Sequence, residues 1–496
     1  MYDVNRAKHI SGRSFPWRIL IPCVISVLMI GICSKSSPLY PMNDWVDVNC
    51  FFTVGRGIRH GLIPYLDLYE QKGPLIYFLY ALAALISEES FLGVFLVEVG
   101  CFAVFLHYSA KTAEVISGAA WTYPLTAAIL GLAVPITPAF SHGGSAEELM
   151  LPVLAMGIYI VAKAMTERCR ISNRDGLLLG ILSAIAFWSK YTFCGLFVGL
   201  ALGTALYYLG KHWLRDLCHL VGCFLLGILI PSVLIVLWFW AHGALPAMWE
   251  AYIQNNLTLY SQNIKSGHYD APLQNLLNNL PWVIPAAMGM LLAFFRRGHR
   301  LEALTWCFGA VCLFEFTYLN GRRYPYYALI LAVFGTLGPG YLGFFIQQWT
   351  KTNPWRMSRI ATVLATVLVL GSPFMAYMLS PNTYLMGTEK EDMPQYRFAA
   401  LIRETEDQTL LNAGFLDGGF YYAAGSIPVN PYFCTLNISL PEMNAAIDSA
   451  VRSGETAYVI TRQQKLKGNR NYHLIDQCSF PYEGRNWTYY LYRRND

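Results

Sequence analysis

Residues 47–77 read DVNCFFTVGRGIRHGLIPYLDLYEQKGPLIY. This polar segment mixes acidic, basic and aromatic side chains, and it joins an apolar segment at 19–34 to another at 74–86. A connection that only tethers two membrane helices has no need for such a mixture of charges. The segment therefore predicts a reaction site at a membrane surface.

The composition of the chain indicates a polytopic membrane protein. Hydrophobic residues make up 55% of the 496 positions, and charged residues make up only 14%. Soluble domains carry roughly 25% charged residues. The net charge of +5 does not indicate a nucleic-acid partner, because the basic residues lie mostly in short loops, as membrane topology requires.

Apolar segments recur through the first 379 residues, where about 20 residues are needed to cross a bilayer. We predict an all-α membrane bundle of about 11–13 transmembrane helices, whose first helix is retained rather than cleaved as a signal peptide. Gly195, Gly199 and Gly203 form a GxxxGxxxG stripe that predicts close helix packing. The twelve segments are 19–34, 74–86, 90–109, 119–135, 148–165, 176–189, 193–209, 217–241, 281–295, 301–318, 324–346 and 359–379.

The charges of the loops predict the orientation of the bundle. Compact basic loops at 167–170, 211–215, 296–300 and 351–359 are expected to face the cytoplasm. The opposite face then receives the first loop at 35–73, the stretch 142–148, Lys190, the long loop 242–280, the stretch 320–327, and residues 380–496. Almost every candidate for chemistry lies on this outer face.

Residues 380–496 lack an apolar run long enough to cross a membrane, and we predict a small extracytoplasmic α/β domain. Helices are expected at 391–406 and 440–453, and strands at 409–412, 457–461 and 488–492. The sequence names no ligand for this domain. Cys434 and Cys478 are the candidate disulfide partners, since the other cysteines are scattered and many lie in apolar runs.

The motifs of the first loop resemble those of the GT-C glycosyltransferases related to protein O-mannosyltransferases and lipid A aminoarabinose transferases. The bacterial subgroup has the patterns D-x-x-x-F-x-x-x-G-R, G-x-x-P-Y-x-D and D/E-x-K-G-P-L-x-Y. Three later elements agree in order, although Tyr326 replaces a frequent histidine of the last one. The matching residues are Asp47, Phe51, Gly55, Arg56, Gly61, Pro64, Tyr65, Asp67, Glu70, Lys72 to Leu75, Tyr77, the stretch 143–148, Lys190 and the stretch 321–327.

The resemblance implies transfer of a sugar from a polyprenyl-phosphate donor, with inversion, to an envelope glycan, lipid or protein. It implies a bacterial plasma-membrane enzyme whose site faces outward. Asp47 is the expected general base, with Asp44 as the second candidate. Metal is not indicated, although a divalent ion is compatible with the chemistry. The implied donor-phosphate ligands are Lys72, Arg322, Arg323 and Lys190, and the implied substrate-binding residues are Arg56, Tyr65, Asp67, Glu70, Glu147, Glu148, Tyr324 and Tyr326.

Structural roles are the alternatives for several of these residues. Asp47 is also suited to cap a short helix beginning near Val48, and Lys72 to extend from a helix end toward the membrane surface. The pair Glu147 and Glu148 suits a helix N-terminus. Asp67 and Glu70 suit local hydrogen bonds or ion pairs with Arg56, Arg59 or Lys72. Arg322 and Arg323 are also suited to anchor a helix end.

Two other functions compete with the glycosyltransferase. A transporter or flippase of lipid-linked saccharides predicts a continuous polar path through the bundle rather than charge gathered at one face. A non-catalytic membrane scaffold with a cell-wall-binding tail predicts that Asp47, Lys72 and Arg322 lie on separate surfaces. Convergence of these three residues around one outward cavity favours the enzyme.

Overall fold

The structure, a computed structural model, describes residues 15–259, 270–318, 323–350, 354–438, 440–466, 469–482 and 484–495. All twelve predicted apolar segments are helical. The membrane part consists of α1 (Phe15–Cys33), α2 (Val46–Arg59), α3 (Pro74–Ile86), α4 (Leu92–Ser117), α5 (Thr122–Ala133), α6 (Ala146–Thr166), α7 (Asn173–Ser189), α8 (Cys194–Gly210), α9 (Leu214–Ala241), α10 (Leu245–Met248), α11 (Asn255–Thr258), α12 (Asp270–Leu277), α13 (Leu280–Phe295), α14 (Arg300–Tyr318), α15 (Leu337–Thr350) and α16 (Pro354–Leu379).

Within the described ranges, seven helices are long and apolar enough to cross a membrane, or eight if α12 and α13, bent by 96°, form one span. Three shorter apolar helices, Trp17–Cys33, Pro74–Ile86 and Thr122–Ala133, add to the bundle. The seven are Leu92–Ser117, Ala146–Thr166, Tyr191–Gly210, Leu214–Ala241, Arg300–Tyr318, Pro325–Trp349 and Trp355–Leu379. The last but one begins as a 3-10 helix over Pro325–Thr336 and continues as α15.

The helices differ in how much of their apolar surface the protein covers. In α6, 78% of an apolar 18-residue stretch is buried inside the protein, whereas in α9 the corresponding fraction is 11%. Leu234 and Trp240 on α9 are among the most exposed apolar side chains, because the solvent of this surface is lipid rather than water. α6 therefore lies inside the bundle, and α9 lies at its lipid-facing edge.

The glycine stripe of α8 packs against α14. A Cβ atom at Gly199 would lie 2.3 Å from the carbonyl oxygen of Phe308, and one at Gly195 would lie 2.5 Å from that of Cys312. Only glycine permits this approach of two helix backbones. The predicted packing role of the stripe is confirmed.

The tail is an α/β domain whose elements are α17 (Pro394–Arg403), β1 (Leu410–Ala413), α18 (Phe420–Ala424), α19 (Pro441–Ser453), β2 (Tyr458–Arg462), β3 (Tyr472–Tyr482) and β4 (Arg485–Arg494). Its four-stranded sheet has the order β1-β2-β4-β3. The first two strands are parallel and the other pairs are antiparallel. β3 was not predicted, because a bulge between Leu474 and Asp476 interrupts its alternation of apolar and polar residues.

The tail docks on α2 through buried contacts. Cys434 Sγ lies 3.9 Å from Cys50 Sγ, and both thiols are buried. Cys478 lies instead on β3, where its sulfur contacts the Ser479 carbonyl oxygen. The predicted pairing of Cys434 with Cys478 is therefore wrong, because the loop that carries Cys434 folds onto the first-loop helix.

Asp417 gives the docked tail a pH-dependent stability. Its buried carboxylate accepts hydrogen bonds from Thr53 Oγ1 at 2.6 Å and from Gly419 N at 2.9 Å. Burial nevertheless raises the pKa of Asp417 from 3.8 to about 6. The folded protein then holds a proton that the unfolded chain releases between these values, so the free energy of unfolding falls as pH rises through this window, by on the order of 3 kcal/mol.

We expect Asp417→Asn to flatten the dependence of Tm on pH between pH 4 and pH 7, because asparagine does not titrate. Thermal unfolding of the detergent-purified protein measures this. Asp448→Asn, on the exposed face of α19, is the control and should keep the wild-type slope. An unchanged slope in Asp417→Asn would assign the pH dependence to another group.

Candidate functional site

A cavity of about 800 Å³ lies between the polar connections of the bundle and the tail. The membrane part and the tail both contribute to its wall, so the tail covers this opening of the bundle. From the membrane part it is lined by Lys35, Trp45, Val46, Asp47, Glu70, Gln71, Lys72, Ser141, His142, Tyr324, Pro325 and Tyr326. Residues from 381 onward add Pro381, Asn382, Tyr384, Leu416, Leu436, Asn437, Arg462, Pro481, Tyr482, Gly484 and Trp487.

Asp47 faces this cavity from the first turn of α2. Its Oδ2 accepts a hydrogen bond from the Tyr326 hydroxyl at 3.2 Å and lies 3.8 Å from Lys72 Nζ. The helix begins at Val46, and the preceding Trp45 makes no side-chain capping bond. Asp47 is thus the second residue of the helix rather than its cap, and its carboxylate is directed toward a tyrosine and a lysine of the cavity wall.

Asp44, the second candidate for the base, forms a buried ion pair with Lys35. Of the two partners, the described part of the cavity wall includes Lys35 but not Asp44. The Lys35 ammonium therefore neutralises Asp44. Of the two candidate bases, Asp47 is the one whose residue lines the described cavity wall. Sequence reasoning missed Lys35, although a lysine on the predicted outer side runs against the topology preference.

The backbone of Lys72 is fixed by hydrogen bonds to two neighbouring side chains. Its N–H donates to Glu70 Oε2 at 2.9 Å, and its carbonyl oxygen accepts from the Tyr65 hydroxyl at 2.6 Å. Next to it, a Cβ atom at Gly73 would lie 2.0 Å from the Trp188 carbonyl oxygen, so this position requires glycine. The side chain of Lys72 is 12% exposed and lies beside Asp47, which contradicts the alternative of a lysine that extends along the membrane surface.

Glu70 and Tyr65 support this segment in different ways. Glu70 lines the cavity, and its carboxylate also accepts a hydrogen bond from the Tyr77 hydroxyl. Tyr65 is buried with a left-handed φ of 68°, a conformation that is uncommon for residues other than glycine. Its hydroxyl donates to the Lys72 carbonyl oxygen and fixes that backbone. Tyr65 is not among the described lining residues of the cavity, so its position does not support the predicted substrate contact.

Lys190 and Glu147 form an ion pair next to the main cavity. Lys190 Nζ lies 2.5 Å from Glu147 Oε1 and 3.7 Å from the centre of the Tyr327 ring. A small adjoining cavity is lined by Lys190 together with Lys72. The carboxylate of Glu147 therefore already balances the charge that the sequence analysis assigned to a donor phosphate.

The ion pair between Lys190 and Glu147 is expected to contribute strongly to the free energy of unfolding. Both side chains are nearly buried, with 11% and 2% exposure. Lys190→Met should lower the free energy of unfolding by about 3–5 kcal/mol, because it leaves the Glu147 carboxylate buried without a partner. Glu147→Leu combined with Lys190→Met should recover most of that loss, and thermal unfolding of the three variants gives the coupling. Additive losses would show that the two groups do not interact.

Glu148 has a structural role in the described contacts. Its N–H donates to Ser145 Oγ at the start of α6, and its Oε2 accepts from Gly144 N at 2.8 Å. Gly143 and Gly144 have φ of +78° and +76°, so the turn before α6 requires glycine at both positions. Glu148 thus closes this turn, as the helix-terminus alternative expects, and does not line the cavity described above.

Arg56 and Asp67 also lie away from the cavity wall. Arg56 is buried, donates to the Tyr421 carbonyl oxygen at 3.2 Å, and lies 4.0 Å from Glu88. Asp67 Oδ2 accepts from Ile63 N at 2.7 Å and closes a local turn. The predicted substrate contacts of these two residues are not supported by their positions; Arg56 instead joins α2 to the tail.

Aromatic rings form one side of the cavity. Tyr324 and Tyr326 stack with ring centres 5.6 Å apart, and Trp45 stacks on His142 at 4.4 Å. Tyr324 and Tyr326 both line the cavity, and flat rings of this kind suit the faces of sugars. Arg322 lies outside the described residues. Arg323 is described, but the lining residues begin at its neighbour Tyr324.

The tail supplies a cation that sequence reasoning did not find. Arg462, at the end of β2, lines the cavity and stacks on the Trp487 ring at 4.2 Å. With Lys35 and Lys72 it surrounds a site whose described acidic lining residues are Asp47 and Glu70. In the described part of the chain, no group of three or more His, Cys, Asp or Glu side chains is arranged to hold a metal ion.

The chain has an ArnT-like fold. ArnT from Cupriavidus metallidurans, solved bound to undecaprenyl phosphate, is similar with a TM-score of 0.64 and 13% sequence identity, over 96% of this chain and 98% of that chain. The apo structure gives the same TM-score, with 14% identity over 96% and 97% of the two chains. No protein-family model matches the sequence, and no curated protein matches it significantly. The predicted membrane bundle with a small α/β tail is confirmed.

Proposed function

We propose that this protein is a membrane glycosyltransferase that moves a sugar from a polyprenyl-phosphate donor to an acceptor of the cell envelope. One observation carries the proposal: a carboxylate and an ammonium group, Asp47 and Lys72, lie 3.8 Å apart in the wall of an 800 Å³ cavity. The similar structure with undecaprenyl phosphate supports the choice of donor, since that lipid phosphate is the leaving group of such a reaction.

The proposed reaction is a single displacement at the anomeric carbon. An acceptor hydroxyl attacks this carbon, the bond between the carbon and the phosphate oxygen breaks, and the polyprenyl phosphate leaves with the bonding electrons. Asp47 takes the proton of the attacking hydroxyl. Lys72 stabilises the negative charge that develops on the departing phosphate. Because the attack and the departure occur on opposite sides, the configuration of the sugar inverts.

We further propose that the cavity and the tail are extracytoplasmic in a bacterial plasma membrane. α6 begins next to the cavity residues Ser141 and His142 and ends before the basic loop at 167–170. α14 runs from the basic loop at 296–300 back toward Tyr324. The basic loops therefore lie at the end of the bundle away from the cavity, and the positive-inside preference assigns that end to the cytoplasm.

The proposal is tested with purified protein in proteoliposomes that contain a panel of undecaprenyl-phosphate sugars and an envelope extract as acceptor. We expect release of undecaprenyl phosphate together with labelled, inverted product from the wild type. If none of the donors in the panel were consumed, the glycosyltransferase proposal would be contradicted. Movement of intact donor across the bilayer without its consumption would instead establish the flippase.

A further inference from the structure

A second cavity, of about 530 Å³, lies at the basic end of the bundle. It forms where α6, α8 and α13 end and where α14 begins. The 21 residues of α6 span roughly 30 Å at 1.5 Å per residue and separate this cavity from the reaction cavity. The two sites are therefore near opposite membrane surfaces.

The wall of this second cavity has a large excess of positive charge. Its single described carboxylate is Glu302, which accepts hydrogen bonds from Arg296 Nη1 at 3.3 Å and from the Tyr341 hydroxyl at 2.5 Å and contacts His299 Nδ1 at 2.7 Å. That carboxylate is saturated by its neighbours and cannot balance the remaining cations. The cationic lining residues are Arg168, Lys211, Arg296, Arg297 and Arg300.

Two buried donors in this wall lack an acceptor within the described protein. They are the Tyr207 hydroxyl and Arg296 Nε. Tyr207 is 6% exposed, and the Arg296 side chain is 8% exposed. A buried donor without a partner is costly, so both groups favour a ligand that brings acceptor oxygens. Donors of this kind beside uncompensated arginines suit a phosphate group.

Apolar side chains at the same cavity favour a lipid as the source of the phosphate. Phe294 and Phe295, at the end of α13, both line the cavity and are 44% and 66% exposed. In a membrane protein such side chains offer a surface for acyl chains. We propose that this cavity binds the phosphate headgroup of an anionic membrane lipid, with its acyl chains against Phe294 and Phe295.

Native mass spectrometry of the detergent-purified full chain tests the proposal by titration with phosphatidylglycerol or phosphatidylcholine. We expect tighter binding of the anionic lipid, and a loss of about tenfold or more in that affinity for Arg297→Gln/Arg300→Gln. Tyr207→Phe should weaken binding less while keeping the fold. Arg174→Gln/Arg215→Gln removes equal charge from exposed residues outside the cavity wall, and this control should keep the wild-type affinity.

Equal binding of the two lipids, or equal losses in the two double variants, would overturn the proposal. A parallel titration with sn-glycerol 3-phosphate separates the possible sources of the phosphate. If that soluble compound binds as tightly as phosphatidylglycerol, the lipid assignment fails. Sugar transfer does not enter the readout, so this result and the test of the glycosyltransferase can fail separately.

Discussion

Asp47→Asn is expected to lower the rate of sugar transfer by about 10²–10⁴-fold, the range that a general base contributes. Asparagine preserves the shape of the side chain and its contact with the Tyr326 hydroxyl but cannot take a proton from the acceptor. The proton transfer occurs only in the transition state, so the loss should appear in kcat, while the KM for the donor changes little. Release of labelled polyprenyl phosphate under saturating donor measures it.

Asp67→Asn is the matched control for this experiment. Asp67 belongs to the same loop, but its carboxylate only closes a turn by accepting from Ile63 N. The control should therefore transfer sugar at a rate near that of the wild type. If Asp47→Asn retained more than about a tenth of the wild-type rate, Asp47 would not be the base. Asp44 would then need to leave its ion pair with Lys35 to act.

Most of the fold could be predicted from the sequence, because the helices of the membrane part are encoded by local patterns of apolar residues. Each of the twelve apolar segments became a helix, since a backbone surrounded by lipid must satisfy its hydrogen bonds within the segment. The glycine stripe of α8 was equally readable, because helix packing repeats every four residues. The strand β3 was missed, because the bulge between Leu474 and Asp476 breaks the alternation of apolar and polar side chains in mid-strand.

The candidate site was only partly readable, since its members come from distant parts of the chain. The motif order singled out Asp47 and Lys72, and the structure places them together. Nothing local in the sequence shows that Asp44 is neutralised by Lys35, or that Arg462 reaches the cavity from the tail. Both facts depend on how separate segments dock. Arg56 was misassigned for the same reason, because its partner lies in the tail.

Lys72→Gln is expected to lower sugar transfer by about 10²–10³-fold, because it removes a fixed positive charge from the place where the departing phosphate gains negative charge. The backbone of the loop should stay in place, because Glu70 and Tyr65 hold Lys72 through its main-chain N–H and carbonyl oxygen. Lys72→Arg, which keeps the charge but changes its position, should retain more activity than Lys72→Gln.

The control for this loss of charge is Arg59→Gln. Arg59 lies on α2, where its guanidinium pairs with Glu88 at 2.7 Å outside the described cavity wall, so the variant should transfer sugar at the wild-type rate. Single-turnover release of polyprenyl phosphate separates the departure step from product release. If the glutamine variant bound the donor less tightly but released the phosphate at the normal rate once saturated, Lys72 would hold the ground state rather than the transition state. Lys72 would then position the donor beside Asp47, which lies 3.8 Å away. The stabilising charge would have to come from Arg462 of the cavity wall, because Lys35 is paired with Asp44.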